Sequence, residues 1–321
     1  MPDAPKADAI TVQPYRIRLE VSSHCQLRCP SCPTTTKAIQ PVVGSGFLKP
    51  ADFRALLESS PWLREIEMSN YGEIFLNPGL LEILQIAHEH GVRMDASNGV
   101  NLNTVSEALL EAVVKYRVIS MTCSMDGASN ETYSQYRVRG DLDRVIANIR
   151  TINRFKAQYG TQEPKLRWQF VVFGHNQHEL PAAREMAVEL GMEFVPKLSW
   201  DPDYSPVSED ALVRKELGYV SRREYKEKTG RDYMGDLCSQ LWIQPQVNFD
   251  GKILGCCRNF WGDFAAENAF KDGLLAGINS EKMRYARGML TGQNEARVDI
   301  PCTTCEIYKT RQKTGRWIVV P

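Results

Sequence analysis

Cys25, Cys29 and Cys32 fall within eight residues of one run, HCQLRCPSCP, with the spacing C-x3-C-x2-C. Three thiolates so placed can hold three corners of a cubane iron–sulfur cluster and leave the fourth iron without a protein ligand. An iron with an open position can bind and activate a small molecule. A structural zinc knuckle competes for the same residues, but zinc favours paired C-x2-C units that close a set of four ligands. No fourth Cys or His follows Cys32 nearby, and His24 directly adjoins Cys25. A second constellation comprises Cys238, the adjacent Cys256 and Cys257, and Cys302 with Cys305 in IPCTTC. Cys238, Cys256, Cys302 and Cys305 make one complete four-thiolate set, suited either to a second iron–sulfur cluster or to a four-cysteine zinc site.

Elements to carry these residues follow from the hydrophobic pattern. Tyr15–Val21 alternates with Ile17, Leu19 and Val21 on one face, and it runs directly into the first cysteine loop. Further short strands are expected at Leu63–Ser69, VRMDASNG, VISMTCSMDG, KLRWQFVVF and MEFVPKLSW. Helices are expected between them at Pro50–Ser60, Leu80–His90 (closed by Gly91), Thr104–Lys115, Leu142–Gln158 and His178–Leu190. Strands separated by such helices imply parallel βαβ units, and six of them make an α/β partial (β/α)6 barrel. Sites in parallel barrels gather at the C-terminal ends of strands, where the cysteine loop lies.

The three-cysteine run closely resembles the signature of the radical S-adenosylmethionine (radical SAM) superfamily. The resemblance implies that the open iron chelates the amino and carboxylate groups of SAM, and that an electron from a 4Fe-4S cluster cleaves SAM to a 5′-deoxyadenosyl radical. Other motifs extend it. Gly72 and Glu73 resemble the GGE motif that receives the SAM ammonium, with Tyr71 in place of the first glycine. Ser97-Asn98-Gly99 resembles the TNG run that touches SAM, although it also reads as a turn. Ser124-Met125-Asp126-Gly127, with the later RVRG and DLDRV, resembles a run common in SPASM-type members. Alternation sets Ser124 and Asp126 on one face, toward the ribose or methionyl end of SAM, and Cys123 on the other as a small buried hydrophobe. Arg137 is the candidate for the SAM carboxylate, with Arg139 as its competitor. Asn176 and Glu179 read as a capping box for the following helix. Gln169 is a candidate for facing the barrel.

The run from Cys238 through Gly251 to Cys256 resembles the opening of a SPASM domain, with a β-hairpin over Gln246–Cys256 turning at Asp250-Gly251. A full SPASM domain carries further cysteines beyond the C-x2-C pair, and none follows Cys305 here. The shorter form resembles a twitch domain with one auxiliary 4Fe-4S cluster, its spacing similar to that of aminocyclitol dehydrogenases. The implied organisation is a tail over 1–14, a radical SAM barrel over 15–200, a charged linker or lid over 201–236 and a twitch/SPASM-like domain over 237–321. Cys257 points away from the set containing Cys256. It could be an alternative ligand, a core residue or a thiol that gives a hydrogen atom to a substrate radical. In the lid, Arg214, Arg222 and Arg223 could meet an anionic substrate group.

The 321 residues carry no net charge and are 43% hydrophobic, so there is no electrostatic footprint for nucleic acid or an anionic membrane. No apolar run approaches the roughly 18 residues of a bilayer span. The polar start MPDAPKADAITVQP is unlike a signal peptide, and the nine cysteines suit metal or redox chemistry in a reducing cytoplasm. The expected partners are a small-molecule substrate and a flavodoxin- or ferredoxin-type reductant. The resemblance implies hydrogen abstraction from a sugar, polyol or aminocyclitol, leading to oxidation. Epimerisation of the same substrates, peptide maturation, and a non-catalytic iron–sulfur electron carrier are the alternatives. No winged-helix peptide-recognition domain fits before Tyr15.

Overall fold

The computed structural model describes residues 10–208, 210–259 and 261–319, so the first nine residues of the expected tail lie outside the described residues. Six strands, β1 (Arg16–Leu19), β2 (Glu65–Glu67), β3 (Arg93–Val100), β4 (Ser120–Ser124), β5 (Lys165–Val172) and β6 (Glu193–Leu198), pair in parallel and in chain order. β6 and β1 do not meet, which leaves the barrel open. A hairpin of β7 (Gln246–Val247) and β8 (Ile253–Gly255) extends the same sheet, because β7 lies parallel to β1. The eight-stranded order is β6-β5-β4-β3-β2-β1-β7-β8. Gly251 makes the hairpin turn at φ +85°, a conformation that glycine reaches without steric cost.

Alternation explains how a strand this short is held. Ile17 and Leu19 of β1, and Val21 beyond it, are fully buried in one cluster with Phe53, Leu56 and Leu57 of the helix Pro50–Ser59. Arg18 and Glu20, also buried, take the opposite face. Helix limits follow from caps. Ser106 Oγ accepts from Leu109 N (3.4 Å), so the helix before β4 starts at Glu107 rather than Thr104. Asp141 Oδ1 accepts from Arg144 N (3.1 Å) and opens Leu142–Gln158 at its expected bounds.

Three features depart from expectation. A helix, Asn130–Tyr136, occupies the run after β4 and is capped by Ser129. The segment 201–236 carries two helices, Asp210–Leu217 and Arg222–Thr229, joined by Glu224, which pairs with Arg214 and Lys228 (2.6 Å each). Asn176 and Glu179 are structural, but not as a capping box. Asn176 Nδ2 donates to the carbonyls of Asp126 and Val171, while Glu179 accepts from Ala128 N and Ser129 Oγ, so both brace the loop after β4. No helix among the described residues is long and apolar enough to cross a membrane.

Candidate active site and cluster centres

The cysteine loop leaves the C-terminal end of β1, and its neighbours are tied to it. Glu73 N donates to the His24 carbonyl (2.7 Å), and Asn77 Nδ2 donates to the Val21 carbonyl (2.8 Å). Glu20, just past β1, accepts from Tyr71 N (3.1 Å) and Gly72 N (3.3 Å). Burial pushes the Glu20 carboxyl up to about 8 against the pull of those two amides. Gly72 passes so close to Ser22 that a Cβ would stand 2.1 Å from its carbonyl oxygen, so only glycine fits there. Glu67 clasps two loops at once: Oε1 accepts from Ser69 N (2.9 Å) and Oγ (2.5 Å), and Oε2 accepts from Ser97 N (2.9 Å) and Oγ (2.5 Å).

Within the loop, Cys32 N donates to the Cys29 carbonyl (3.1 Å), and the three thiols turn into one cavity. Asn101 Nδ2 lies 3.6 Å from Cys25 Sγ, and Arg137 Nη1 lies 3.7 Å from Cys29 Sγ. Burial and then the Glu73 charge push Cys25 up to about 12; burial also raises Cys29, while Arg137 pulls it down. Free thiols crowded in this way keep their protons, and bound metal cations would displace them. Three soft donors with polar N–H groups aimed at sulfur fit an iron–sulfur group, which Cys25, Cys29 and Cys32 would hold.

The cavity measures about 650 Å³ and is lined by Gly72, Glu73, Asn98, Ser124, Arg137 and Gln169 as well as the three cysteines. Burial raises Glu73 to about 7, opposed by the amides of Asn101 and Phe75. Two residues singled out in the sequence do not reach the cavity. The Ser97 hydroxyl is spent on Glu67, and Asp126 sits fully buried behind Arg137, accepting from Arg137 Nε (2.6 Å) and Val171 N (2.7 Å). Asp126 therefore positions Arg137. Arg139 lies at the surface.

The second set converges as well. Cys238, Cys256, Cys302 and Cys305 line one small pocket of about 30 Å³ with Leu241, Phe264 and Leu290. Each thiol of Cys238, Cys256 and Cys302 is pushed up, first by burial; the charge of other members of the set adds to the rise, and Arg311 opposes it at Cys238. Cys305 stands at the N-cap position of the helix Glu306–Thr314. A tetrahedral zinc site draws its sulfurs to within about 4 Å of one another. Among the described residues no three His, Cys, Asp or Glu side chains are grouped as a single metal ion requires. The four thiols share a small space lined by apolar side chains.

Cys256 and Cys257 lie just beyond β8 in a turn rather than on the strand, yet they part as alternation predicts. Cys256 faces the small pocket and Cys257 the large cavity. Tyr71 Oη donates to the Cys257 carbonyl (2.8 Å), joining the loop after β2 to the second set. Lys197, Tyr233 and Arg258 also line the large cavity and were not anticipated; Arg222 lines it, whereas Arg214 is paired and Arg223 is exposed. Glu20 and Glu67 were missed too. Their signal was available, since an acid inside a buried parallel strand must face a polar lumen.

No family profile matches the chain, and no curated protein is recognisably similar to it. Solved structures do match. Streptococcus suis SuiB bound to S-adenosylmethionine superposes with a TM-score of 0.64 at 16% identity, over 92% of this chain and 72% of that one. SuiB bound to precursor peptide SuiA gives 0.60 at 14% identity. BtrN in complex with AdoMet and 2-DOIA gives 0.50 at 16% identity, over 92% of this chain and 94% of that one. This is the radical SAM fold.

Proposed function

We propose that the protein is a radical SAM enzyme that abstracts a hydrogen atom from a small polar substrate (a sugar, polyol or aminocyclitol) and oxidises it. One observation carries this: Cys25, Cys29 and Cys32 share a single cavity with Glu73, Arg137 and Cys257, giving room for SAM and a small substrate side by side. Cys25, Cys29 and Cys32 would hold a 4Fe-4S cluster, which would supply the electron that splits the sulfonium when charged by a flavodoxin- or ferredoxin-type reductant. Glu73 receives the SAM ammonium, and Arg137, held by Asp126, receives the carboxylate through its fork. Asn98 and Ser124 line the same wall for the ribose or methionyl part. The substrate C–H would give its hydrogen atom to the adenosyl carbon, and the remaining radical would become a carbonyl by releasing its hydroxyl proton to solvent and one electron toward the second cysteine set. Cys238, Cys256, Cys302 and Cys305 lie behind the Cys257 wall and would hold an auxiliary 4Fe-4S cluster able to accept that electron.

A second reading, epimerisation, is favoured by the place of Cys257. Cys257 is among the residues lining the cavity, and its thiol would return a hydrogen atom to the opposite face of the carbon. Peptide maturation has the SuiB complex with its precursor peptide in its favour, but nothing in the cavity selects a peptide.

The test is anaerobic reconstitution followed by reduction. The protein should carry about eight irons, fall to about four when Cys25, Cys29 and Cys32 are all changed to Ala, and cleave SAM to 5′-deoxyadenosine only in the unaltered form. Stoichiometric zinc on the second set, or no 5′-deoxyadenosine from fully loaded protein, would overturn the reading.

A further inference from the structure

The far end of the cavity is cationic and unbalanced. Lys197, Arg222 and Arg258 all line it, and none pairs with a carboxylate among the described residues. The Lys197 ammonium donates only to Gln169 Oε1 (2.5 Å). Arg222 Nε donates to the Leu198 carbonyl (3.0 Å), and its guanidinium lies over the Tyr233 ring, 4.7 Å from the centroid. Arg258 Nε is buried with no partner at all. Elsewhere the chain neutralises such groups: Arg137 has Asp126, Arg214 and Lys228 share Glu224, and Lys226 has Asp232. Burial and the neighbouring Arg222 charge lower Lys197; burial also lowers Arg222, and Arg258 lowers it further despite the opposing pull of Tyr233 and of Asp232, which pairs with Lys226 rather than with Arg222. Three unpaired cations brought together inside a fold repel one another and lose hydration, which is sustained where an anion completes the set.

We propose that Lys197, Arg222 and Arg258 form a phosphate subsite, so that the substrate is a phosphate monoester of a small polar molecule. A single carboxylate is satisfied by one guanidinium fork, whereas a phosphate dianion presents three oxygens and a double charge. Two forks and one ammonium match that better. The Gln169 amide, held by Lys197, would then face the carbon skeleton between the phosphate and the sulfur loop. Arg222 belongs to the helical segment over the barrel opening, so a bound phosphate also holds that segment down on the cavity. The inference rests on the substrate role given to this cavity above and names the class of molecule that fills it.

Inorganic phosphate is the probe. Titrated calorimetrically into cluster-loaded protein already saturated with SAM, it should bind with a dissociation constant of about 1 mM or lower, and acetate should bind at least about tenfold more weakly. The double variant Arg222→Gln, Arg258→Gln should lose phosphate affinity by about tenfold or more, and Arg222→Lys with Arg258→Lys should recover part of it. Circular dichroism and SAM affinity check that each variant is folded. Raising the salt should weaken phosphate binding, and phosphate should shield Arg222 and Arg258 from phenylglyoxal in mass-spectrometric mapping. No binding up to about 20 mM phosphate, acetate binding as well as phosphate, displacement of phosphate by SAM, or full affinity in the double Gln variant would each overturn the proposal. The two readings fail separately. A protein that binds phosphate through these residues but never cleaves SAM keeps the subsite and loses the radical chemistry; one that cleaves SAM and ignores phosphate does the reverse.

Discussion

Replacing Glu67 by Gln tests whether the loop after β2 and the C-terminal part of β3, which the proposed function assigns to SAM, depend on one buried carboxylate. Glu67 accepts four hydrogen bonds, a backbone N–H and a hydroxyl from each of Ser69 and Ser97. Glutamine keeps the shape but turns one acceptor into a donor. The serine hydroxyl on that side can rotate and accept, whereas the backbone N–H cannot, so one buried donor is orphaned at a cost of about 1–3 kcal/mol. The surviving bonds also weaken from carboxylate to amide strength, for a total of about 3 kcal/mol. Unfolding entropy near 2.1 cal/mol/K per residue over 321 residues converts this to a fall in Tm of roughly 4–5 °C. Loosening of the loops that carry Asn98 and Tyr71–Glu73 should weaken SAM binding by about tenfold. Anaerobic calorimetry gives the first quantity and equilibrium dialysis of labelled SAM the second. Ser97→Ala, which removes one hydroxyl and orphans nothing, should shift Tm by no more than about 2 °C. A Glu67→Gln protein that melts with the wild type and binds SAM equally well would refute the clasp.

The buried carboxyls make stability depend on pH. Glu20 is raised from 4.5 to about 8 and Glu73 to about 7, so the folded state holds these protons more tightly than the unfolded state. Their contribution is therefore full below about pH 4.5 and is lost as pH rises through 7 and 8. Glu20→Gln should flatten the change in Tm between pH 5 and pH 8 by scanning fluorimetry, and an unaltered slope would show that Glu20 does not hold a proton in the fold. Cys257→Ala separates oxidation from epimerisation: a dehydrogenase keeps its turnover, while an epimerase stalls yet still forms 5′-deoxyadenosine. Mass spectrometry of the product made in deuterium oxide decides it, and solvent deuterium at one carbon without a change in oxidation level would favour the epimerase.

The sequence carried the cysteine sets because ligand spacing is local: C-x3-C-x2-C and IPCTTC announce themselves within a few residues. The six strands were legible too, since βαβ alternation is periodic and two of the expected helices between them carry side-chain caps, Ser106 and Asp141. What escaped was long-range. Nothing in GCCRNF shows that Arg258 will meet Lys197, some sixty residues earlier in the chain, across a cavity. Ser97 and Asp126 stand at motif positions, but their side chains are claimed by Glu67 and Arg137, and only the folded register reveals that competition. The helix Arg222–Thr229 buries no residue and is held by Glu224 and its partners, so hydrophobic periodicity gave it no signature; Asp210–Leu217 is only eight residues long and sends Val213 into the core.

The pairing of β7 with β1 means that the second cysteine set is not an appendage on a flexible tether. Arg18 N donates to the Pro245 carbonyl (3.0 Å) and Glu20 N to the Val247 carbonyl (2.9 Å), so the strand that feeds the first cysteine loop is sealed by the segment that leads to the second. Cutting the chain before Gln246 to obtain a minimal barrel would bare a row of backbone donors and acceptors on β1, an edge that invites another copy to add a strand. Such a fragment should come out of the cell as aggregate even with its own hydrophobic core intact. For protein engineers, a graft that exchanges the C-terminal part among related barrels must keep the register that sets Arg18 opposite Gln246. The separation of the two cysteine sets is then a property of a sheet and not of a linker, and under the proposed function an electron passing between them would travel a span that ordinary domain motion does not modulate.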